Sequence, residues 1–360
     1  METAIEKAVN KLFTDDIKNY IFIYTPPKVG STTLVSSLRI SLGRSYSVIH
    51  IHDDTMLSVL TGINDVTVND IIDYLSIHNK NVYVIDVYRS PIERKMSEFF
   101  EKIAPYHFNN TEENVSKYSI KRISERFNKL FPHLALGEHY FDKYRIINPT
   151  KFDFDKKYTI QAINNIKYIK LRLCDSKLWS SILSSIFCND IVLIHDYQTD
   201  NKTIGNFYKL FKNEYKLPLN YLNLIRECKY FNFYYSEKER ENYLNEWSSK
   251  TCDNFISYTE TEYKFYVTLY LENQYINDIQ TEHYIDNGCY CNLCMNKRRS
   301  IFIKAKNGER ITEKITHNEI VNENIYKKNI KIAKIIKKKI NEKQIIKSKN
   351  KQFGINISYK

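Results

Sequence analysis

The chain has 360 residues, 42% of them hydrophobic, a formal net charge of +12 and an odd number of cysteines, seven. This length and apolar content suffice for a full α/β core with a smaller second unit, and the odd, scattered cysteines read as free thiols. No apolar stretch reaches the length of a membrane span and the first residues lack a signal-peptide pattern, so a soluble, cytoplasmic protein is expected. The positive charge favours polyanionic ligands: an acidic glycan, nucleic acid or a membrane surface.

A lead helix is expected over residues 1–17. The apolar run Ile21-Phe22-Ile23-Tyr24 then reads as a strand, followed by Thr25-Pro26-Pro27-Lys28-Val29-Gly30-Ser31-Thr32-Thr33 and a helix marked by Leu34, Val35, Leu38 and Leu42. A strand that turns through a Pro/Gly loop into a helix makes an anion cradle, because free amide groups and the positive end of the helix dipole face one point. Lys28 adds a full charge there, and Ser31, Thr32 and Thr33 add hydroxyls. The nucleotide loop G-x-x-x-x-G-K-S/T is excluded: Lys28 precedes Gly30, and no glycine lies upstream.

Val48-Ile49-His50-Ile51-His52-Asp53-Asp54 reads as a second strand whose end carries two imidazoles and two carboxylates. Val68, Ile71, Ile72 and Leu75 mark a helix, and Asn81 to Val87 a buried strand ending at Arg89. Ser90 as N-cap, Pro91 at the first helical position and Glu93 form a predicted capping box, with Ser97 about two turns along that helix. Helices are expected over Lys121 to Phe131 and Ser176 to Phe187, then a strand over Asp190 to His195. A second capping box at Ser236 and Glu239 opens a helix reaching Trp247. Strands alternating with helices imply a parallel sheet with helices on both sides.

Beyond about residue 255 the pattern changes. Tyr263 to Leu271 alternates as a strand, and Ser300 to Ile315 reads as a hairpin around Asn307-Gly308. Between them, Cys289, Cys291 and Cys294 with His283 have the donor types of a structural zinc site; free thiols or a redox pair are the competing readings. From Tyr326 to Lys360 the chain is dense in Lys and Ile, with Ile330, Ile332, Ile335, Ile336 and Ile340 near one face of a basic helix. Such a helix suits acidic lipid, glycan or nucleic acid, or packs as a solvated tail. The expected divisions are residues 1–17, an α/β domain over 18–255, a small β-rich, cysteine-containing module over 256–325, and a tail over 326–360.

The segment Pro27-Lys28-Val29-Gly30-Ser31-Thr32 after a first strand resembles the 5′-phosphosulfate loop of sulfotransferases that use 3′-phosphoadenosine-5′-phosphosulfate (PAPS). That family places its 3′-phosphate site at an Arg ending a strand and a Ser eight residues later, the spacing of Arg89 and Ser97. His139 to Lys143, Ile166 to Asp175, Lys216 to Pro218, Phe231 to Glu237 and Trp247 follow in an order similar to the capsular polysaccharide synthesis group of sulfotransferase-like proteins. The resemblance covers roughly residues 18 to 250, about two thirds of the chain. Arg172-Leu173-Cys174-Asp175 departs from the group's R-L/V-E-D/N segment at Cys174, which puts any role of that carboxylate in doubt.

The resemblance implies a P-loop NTPase-like sulfotransferase fold and in-line transfer of a sulfuryl group to a hydroxyl of a glycan or similar acceptor. Lys28 would stabilise the leaving phosphate. Gly30, Ser31, Thr32 and Thr33 would hold the 5′-phosphate, and Arg89 and Ser97 the 3′-phosphate. Arg94 and Lys95 either serve the same field or are solvated. His52 would act as base, with His50 and Asp53 as alternatives. A different class of reading is an inactive sulfotransferase-fold protein that binds nucleic acid, glycan or protein through its tail and cysteine cluster; a kinase with an unusual phosphate loop is a third.

Overall fold

The first half of the chain alternates as expected: α1 (Ala4–Leu12), β1 (Asn19–Tyr24), α2 (Ser31–Leu42), β2 (Tyr46–Ile51), α3 (Asp54–Thr61), α4 (Val68–Ile77), β3 (Asn81–Tyr88), α5 (Pro91–Phe99), α6 (Glu112–Val115) and α7 (Ile120–Leu130). There follow β4 (Tyr158–Ile163), β5 (Ile166–Arg172), α8 (Trp179–Phe187), α9 (Gly205–Glu214), β6 (Leu217–Pro218), α10 (Leu219–Glu227), α11 (Lys229–Tyr234), α12 (Glu237–Ser248), β7 (Thr251–Cys252), α13 (Glu260–Tyr270) and α14 (Asn292–Lys306). This computed structural model describes residues 2–13, 17–101, 103–135, 142–194, 204–270, 291–311, 318–328, 330–331 and 334–335. Two compact units are present, Met1–Thr281 with Arg299–Thr312, and Glu282–Arg298 with Glu313–Lys360.

In the first unit five strands form one sheet in the order β2-β1-β3-β5-β4, parallel throughout except for β4, which runs antiparallel to β5 at the edge. The class is α/β with a mostly parallel sheet. Strands buried on both faces need apolar side chains on both, so β1 reads Asn-Tyr-Ile-Phe-Ile-Tyr, with every residue after Asn19 buried. Ile21 and Ile23 of β1 pack with Ile85 and Val87 of β3, Leu34, Val35 and Leu38 of α2, and Trp179, Ile182 and Leu183 of α8. Tyr20, Phe22 and Tyr24 on the opposite face pack with Ala8 of α1, Leu57 of α3, and Ile71, Ile72 and Leu75 of α4. A third core, rich in aromatic residues, joins α5, α7, α9, α10, α11 and α12.

Strand order decides where a ligand would sit. The chain leaves β1 toward β2 on one side and returns through α3 and α4 to β3 on the other side of β1. The connections therefore diverge between β1 and β3, which opens a crevice outside their carboxyl ends. The loop at 25–30 and Arg89 both lie there.

Several local expectations are corrected. Ser90 occupies the N-cap of α5 and Pro91 its first turn, but Ser90 makes no capping bond through its side chain. Glu93 instead accepts hydrogen bonds from Tyr243 Oη (2.7 Å) and Trp247 Nε1 (3.2 Å), so α12 takes the carboxylate the box needed. The box at Ser236 and Glu239 does form. Residues 190–194 are not a strand: the Val192 and Ile194 amides donate to Ser41 and Ser37 Oγ on α2 (3.1 and 2.8 Å), in place of a sheet ladder. His195 lies outside the described residues.

Where the expected β-rich module over 256–325 is described, it holds the helices α13 and α14 and no strand. The Thr259 hydroxyl accepts from the Glu262 amide (3.3 Å) and the Glu262 carboxylate from the Thr259 amide (2.7 Å), a capping box that starts α13 through Tyr263 and overrides the period-two pattern. Tyr263 stacks on His133 and Tyr266 on His107, a helical spacing of three. Asn307-Gly308 ends α14 rather than turning a hairpin: Gly308, at φ 77°, donates to Ala305 O and Glu309 to Lys304 O (both 3.0 Å). Those two bonds define a Schellman stop. In the tail, residues 318–328, 330–331 and 334–335 are helical, and the remainder of the basic segment lies outside the described residues. Among the described residues no helix is long and apolar enough to cross a membrane.

Candidate functional site

The loop after β1 is anchored from beneath. Thr25, fully buried, accepts a hydrogen bond from the Val87 amide (2.9 Å) and donates to Asp86 Oδ1 (3.2 Å), both on β3. Asp86 Oδ2 accepts from Tyr234 Oη (3.1 Å) and lies 3.8 Å from Lys170 Nζ on β5. Burial pushes the Asp86 carboxyl up and the Lys170 ammonium down, and each is partly offset by the other's charge. A buried polar cluster with several partners has few alternative arrangements, so it fixes where the loop begins.

Above that anchor the backbone bends at Lys28 (φ 67°) and Gly30 (φ 88°). Two guanidinium groups reach the loop, one directly after β3 and one from the first turns of α5. Arg89 Nη1 donates to Lys28 O (2.8 Å), and Arg94 Nε, almost fully buried, donates to Pro27 O (3.3 Å). Lys28 Nζ forms an ion pair with the Glu101 carboxylate just beyond α5. Gly30 is the N-cap of α2, so no side chain caps the helix, and the first turn, Ser31, Thr32 and Thr33, holds no acidic residue. The positive end of α2 is thus left uncompensated by its own sequence.

Gly30 is required on two counts. Its left-handed φ disfavours a side chain, and a Cβ there would lie 2.9 Å from Leu173 Cδ1 and 3.2 Å from Trp179 Cη2. These two neighbours are held by Arg172 at the end of β5. Arg172 is fully buried; its guanidinium binds Asp175 (2.6 Å), Glu239 through two bonds (2.8 and 3.1 Å) and Tyr234 O (2.9 Å). Those carboxylates hold its pKa above the ordinary value against desolvation. The segment's departure at Cys174 leaves this pairing intact, because Asp175 and Glu239 supply the acids.

His52, directly after β2, turns to the start of the loop, with Nδ1 2.7 Å from Thr25 O. A carbonyl oxygen only accepts, so Nδ1 carries the proton and the neutral ring keeps its lone pair on Nε2. Burial lowers its pKa, and the Thr25 bond and Asp53 only partly oppose that, so the ring is neutral near pH 7. His50 lies edge-on to it at 4.4 Å. Both neighbouring carboxylates have structural partners: Asp53 caps α3 through the Met56 amide (2.8 Å), and Asp54 accepts from the Val68 amide at the start of α4 (2.8 Å).

No family model matches this chain, and no curated protein or solved structure matches it.

The structure thus brings Lys28, Gly30, Arg89 and His52 together around one loop. Ser97 lies on the buried face of α5 and is not brought into hydrogen-bond contact with Arg89. Lys95 is turned away: its Nζ donates to Leu134 O (2.8 Å). Sequence reasoning missed Glu101 and Asp86, which carry no motif, and the anchoring role of Thr25 at the head of the loop, and left Arg94 open. Of the zinc candidates, Cys291 is exposed and Cys294 buried, whereas His283 and Cys289 lie outside the described residues. Among the described residues no group of three or more His, Cys, Asp or Glu side chains is arranged to hold a metal ion.

Proposed function

We propose that the chain is a PAPS-dependent sulfotransferase acting on a hydroxyl of a glycan or similar acceptor. The observation that carries this reading is the convergence of the Pro-Lys-x-Gly-Ser-Thr loop and the strand-end Arg89 at the β1/β3 divergence, with the Arg89 guanidinium seated on the Lys28 carbonyl. The donor set fits a ligand with two anionic groups. It combines the uncapped positive end of α2, an ammonium and a guanidinium, and Arg suits a phosphate because its planar fork donates in parallel.

In this reaction the S–O bond to the leaving phosphate breaks as the acceptor oxygen bonds to sulfur in line with it. Lys28 stabilises the charge that develops on the bridging oxygen. His52, neutral and protonated at Nδ1, takes the acceptor's proton at Nε2. The amides and hydroxyls of Ser31, Thr32 and Thr33 hold the 5′-phosphate, and Arg89 holds the 3′-phosphate. Ser97, on α5, is the second group assigned to the 3′-phosphate.

Binding separates this reading from its competitors. Adenosine 3′,5′-bisphosphate at about 100 times its dissociation constant is expected to stabilise the fold by about 2.7 kcal/mol, with ATP giving less. Transfer of label from PAPS to a panel of acidic glycans would then identify the acceptor. A clear thermal shift with ATP and none with the bisphosphate would sink the proposal.

A further inference from the structure

Lys28, the cation assigned to the leaving group, is paired with a carboxylate. Its side chain is 13% exposed and that of Glu101 27%, so the pair is partly shielded from water and its attraction is less screened than at a surface. Arg89 and Arg94 hold the loop through its carbonyls and leave no negative charge on it. Glu101 does the opposite: it sets an anion on the ammonium.

Its neighbour Glu98 differs in character. Glu98 Oε2 is buried and has no hydrogen-bond partner among the described residues, and burial raises its carboxyl's pKa against the pull of Arg94 and Lys28. Glu101, placed directly on the ammonium, supplies the negative charge that Lys28 meets. The Glu101 carboxylate, with two oxygens on a planar centre, presents to the ammonium the kind of group that a phosphoryl oxygen would present.

We propose that Glu101 is an internal stand-in for the ligand: it holds the Lys28 ammonium in place while the loop is empty and is displaced when a phosphoryl anion binds there. The inference rests on the reading of this loop as an anion cradle, but not on the identity of the sulfuryl donor. Glu101 is then a positioning residue that sets affinity, since an incoming anion must first break an existing pair and its apparent binding is weakened accordingly. It also favours ligands rich enough in negative charge to compete.

The test is calorimetric titration of the wild-type chain, Glu101→Gln and Glu101→Ala with inorganic pyrophosphate, alongside thermal unfolding with and without it. Glu101→Gln keeps the size and one acceptor oxygen and removes the charge; pyrophosphate should bind it on the order of tenfold more tightly, the equivalent of one pKa unit of charge interaction. Glu101→Ala should shift affinity in the same direction. Without ligand both variants should melt at or below the wild-type temperature, and at saturating pyrophosphate their gain should exceed that of wild type; a packing role alone would lower both midpoints equally. Unchanged or weaker binding by the variants overturns the proposal, as does the absence of pyrophosphate binding by all three proteins. A parallel titration with adenosine 3′,5′-bisphosphate keeps the two ideas apart: the charge effect with pyrophosphate, but no bisphosphate binding, would retire the donor and leave the role of Glu101 standing.

Discussion

Gly30→Ala tests how tightly the loop is built, with Gly62→Ala as an internal control. Both glycines have left-handed φ, +88° at Gly30 and +72° at Gly62, so alanine carries a backbone cost of about 1 kcal/mol at either. Around Gly62 nothing lies within 4 Å of an added Cβ, and the backbone cost is the whole effect. At Gly30 the new methyl meets Leu173 Cδ1 at 2.9 Å and Trp179 Cη2 at 3.2 Å. Leu173 is half-buried and can change rotamer; Trp179 is buried and tied by its indole N–H to Arg172 O (3.2 Å), so it resists. Overpacking of this kind adds about 1–2 kcal/mol. The expected losses are thus about 1 kcal/mol for Gly62→Ala and about 2–3 kcal/mol for Gly30→Ala, or roughly 2 °C against 4–6 °C in melting temperature for a domain of this size. Thermal unfolding followed by circular dichroism without ligand reads the difference. Equal shifts for the two variants would refute the claim that the segment after β5 packs directly on the loop.

Four further outcomes are expected. Ser236→Ala should cost about 1 kcal/mol by losing a formed capping box, whereas Ser90→Ala should change stability by less than about 0.5 kcal/mol, because Ser90 makes no side-chain cap; urea midpoints compare them. His107 stacks on Phe99 and Tyr266, and burial pushes its pKa down to about 3, so its neutral form stabilises the fold fully above about pH 6.5 and that contribution is lost as pH falls toward 3. The stability of His107→Phe relative to wild type should therefore rise by about 1.4 kcal/mol per pH unit between about pH 6 and pH 4, and a pH-independent difference would refute this. Arg172→Met strands two carboxylates and a carbonyl and should cost about 3–5 kcal/mol in denaturant unfolding, with Arg172→Lys failing to restore it. Under the proposed activity, Lys28→Ala should lower turnover by about 10²–10³-fold. Arg89→Ala should chiefly weaken bisphosphate binding, so equal small effects from the two would count against the roles assigned to them.

The readable parts of this chain are those where local chemistry and tertiary packing agree. β1, α2, β3 and α12 each carry a period, a cap or a breaker that the folded environment also rewards, and each forms within a residue or two of its expected place. Where two local signals compete, packing chose. Tyr263 to Leu271 alternates like a strand, but the Thr259–Glu262 box and two aromatic stacks against His133 and His107 reward a helix. Asn307-Gly308 suits a hairpin and a helix stop equally, since both need a left-handed residue, and only the preceding turns decide which forms. Glu93 illustrates the reverse: a valid local box is dissolved because Tyr243 and Trp247, distant in sequence, bind the same carboxylate.

The candidate site divides in the same way. The loop of Lys28, Gly30 and the hydroxyl run between β1 and α2, and Arg89 at the end of β3, were legible because a strand, a Pro/Gly turn and a helix start each leave a local pattern. The strand order that makes the carboxyl ends of β1 and β3 neighbours, the Thr25–Asp86 anchor beneath the loop and the Glu101 carboxylate on Lys28 were decided only by tertiary structure. The physical reason is range: capping, turn and periodicity effects act over a few residues and leave a pattern in the sequence. Ion pairs and buried hydrogen bonds join residues far apart along the chain, and no local rule marks which will meet.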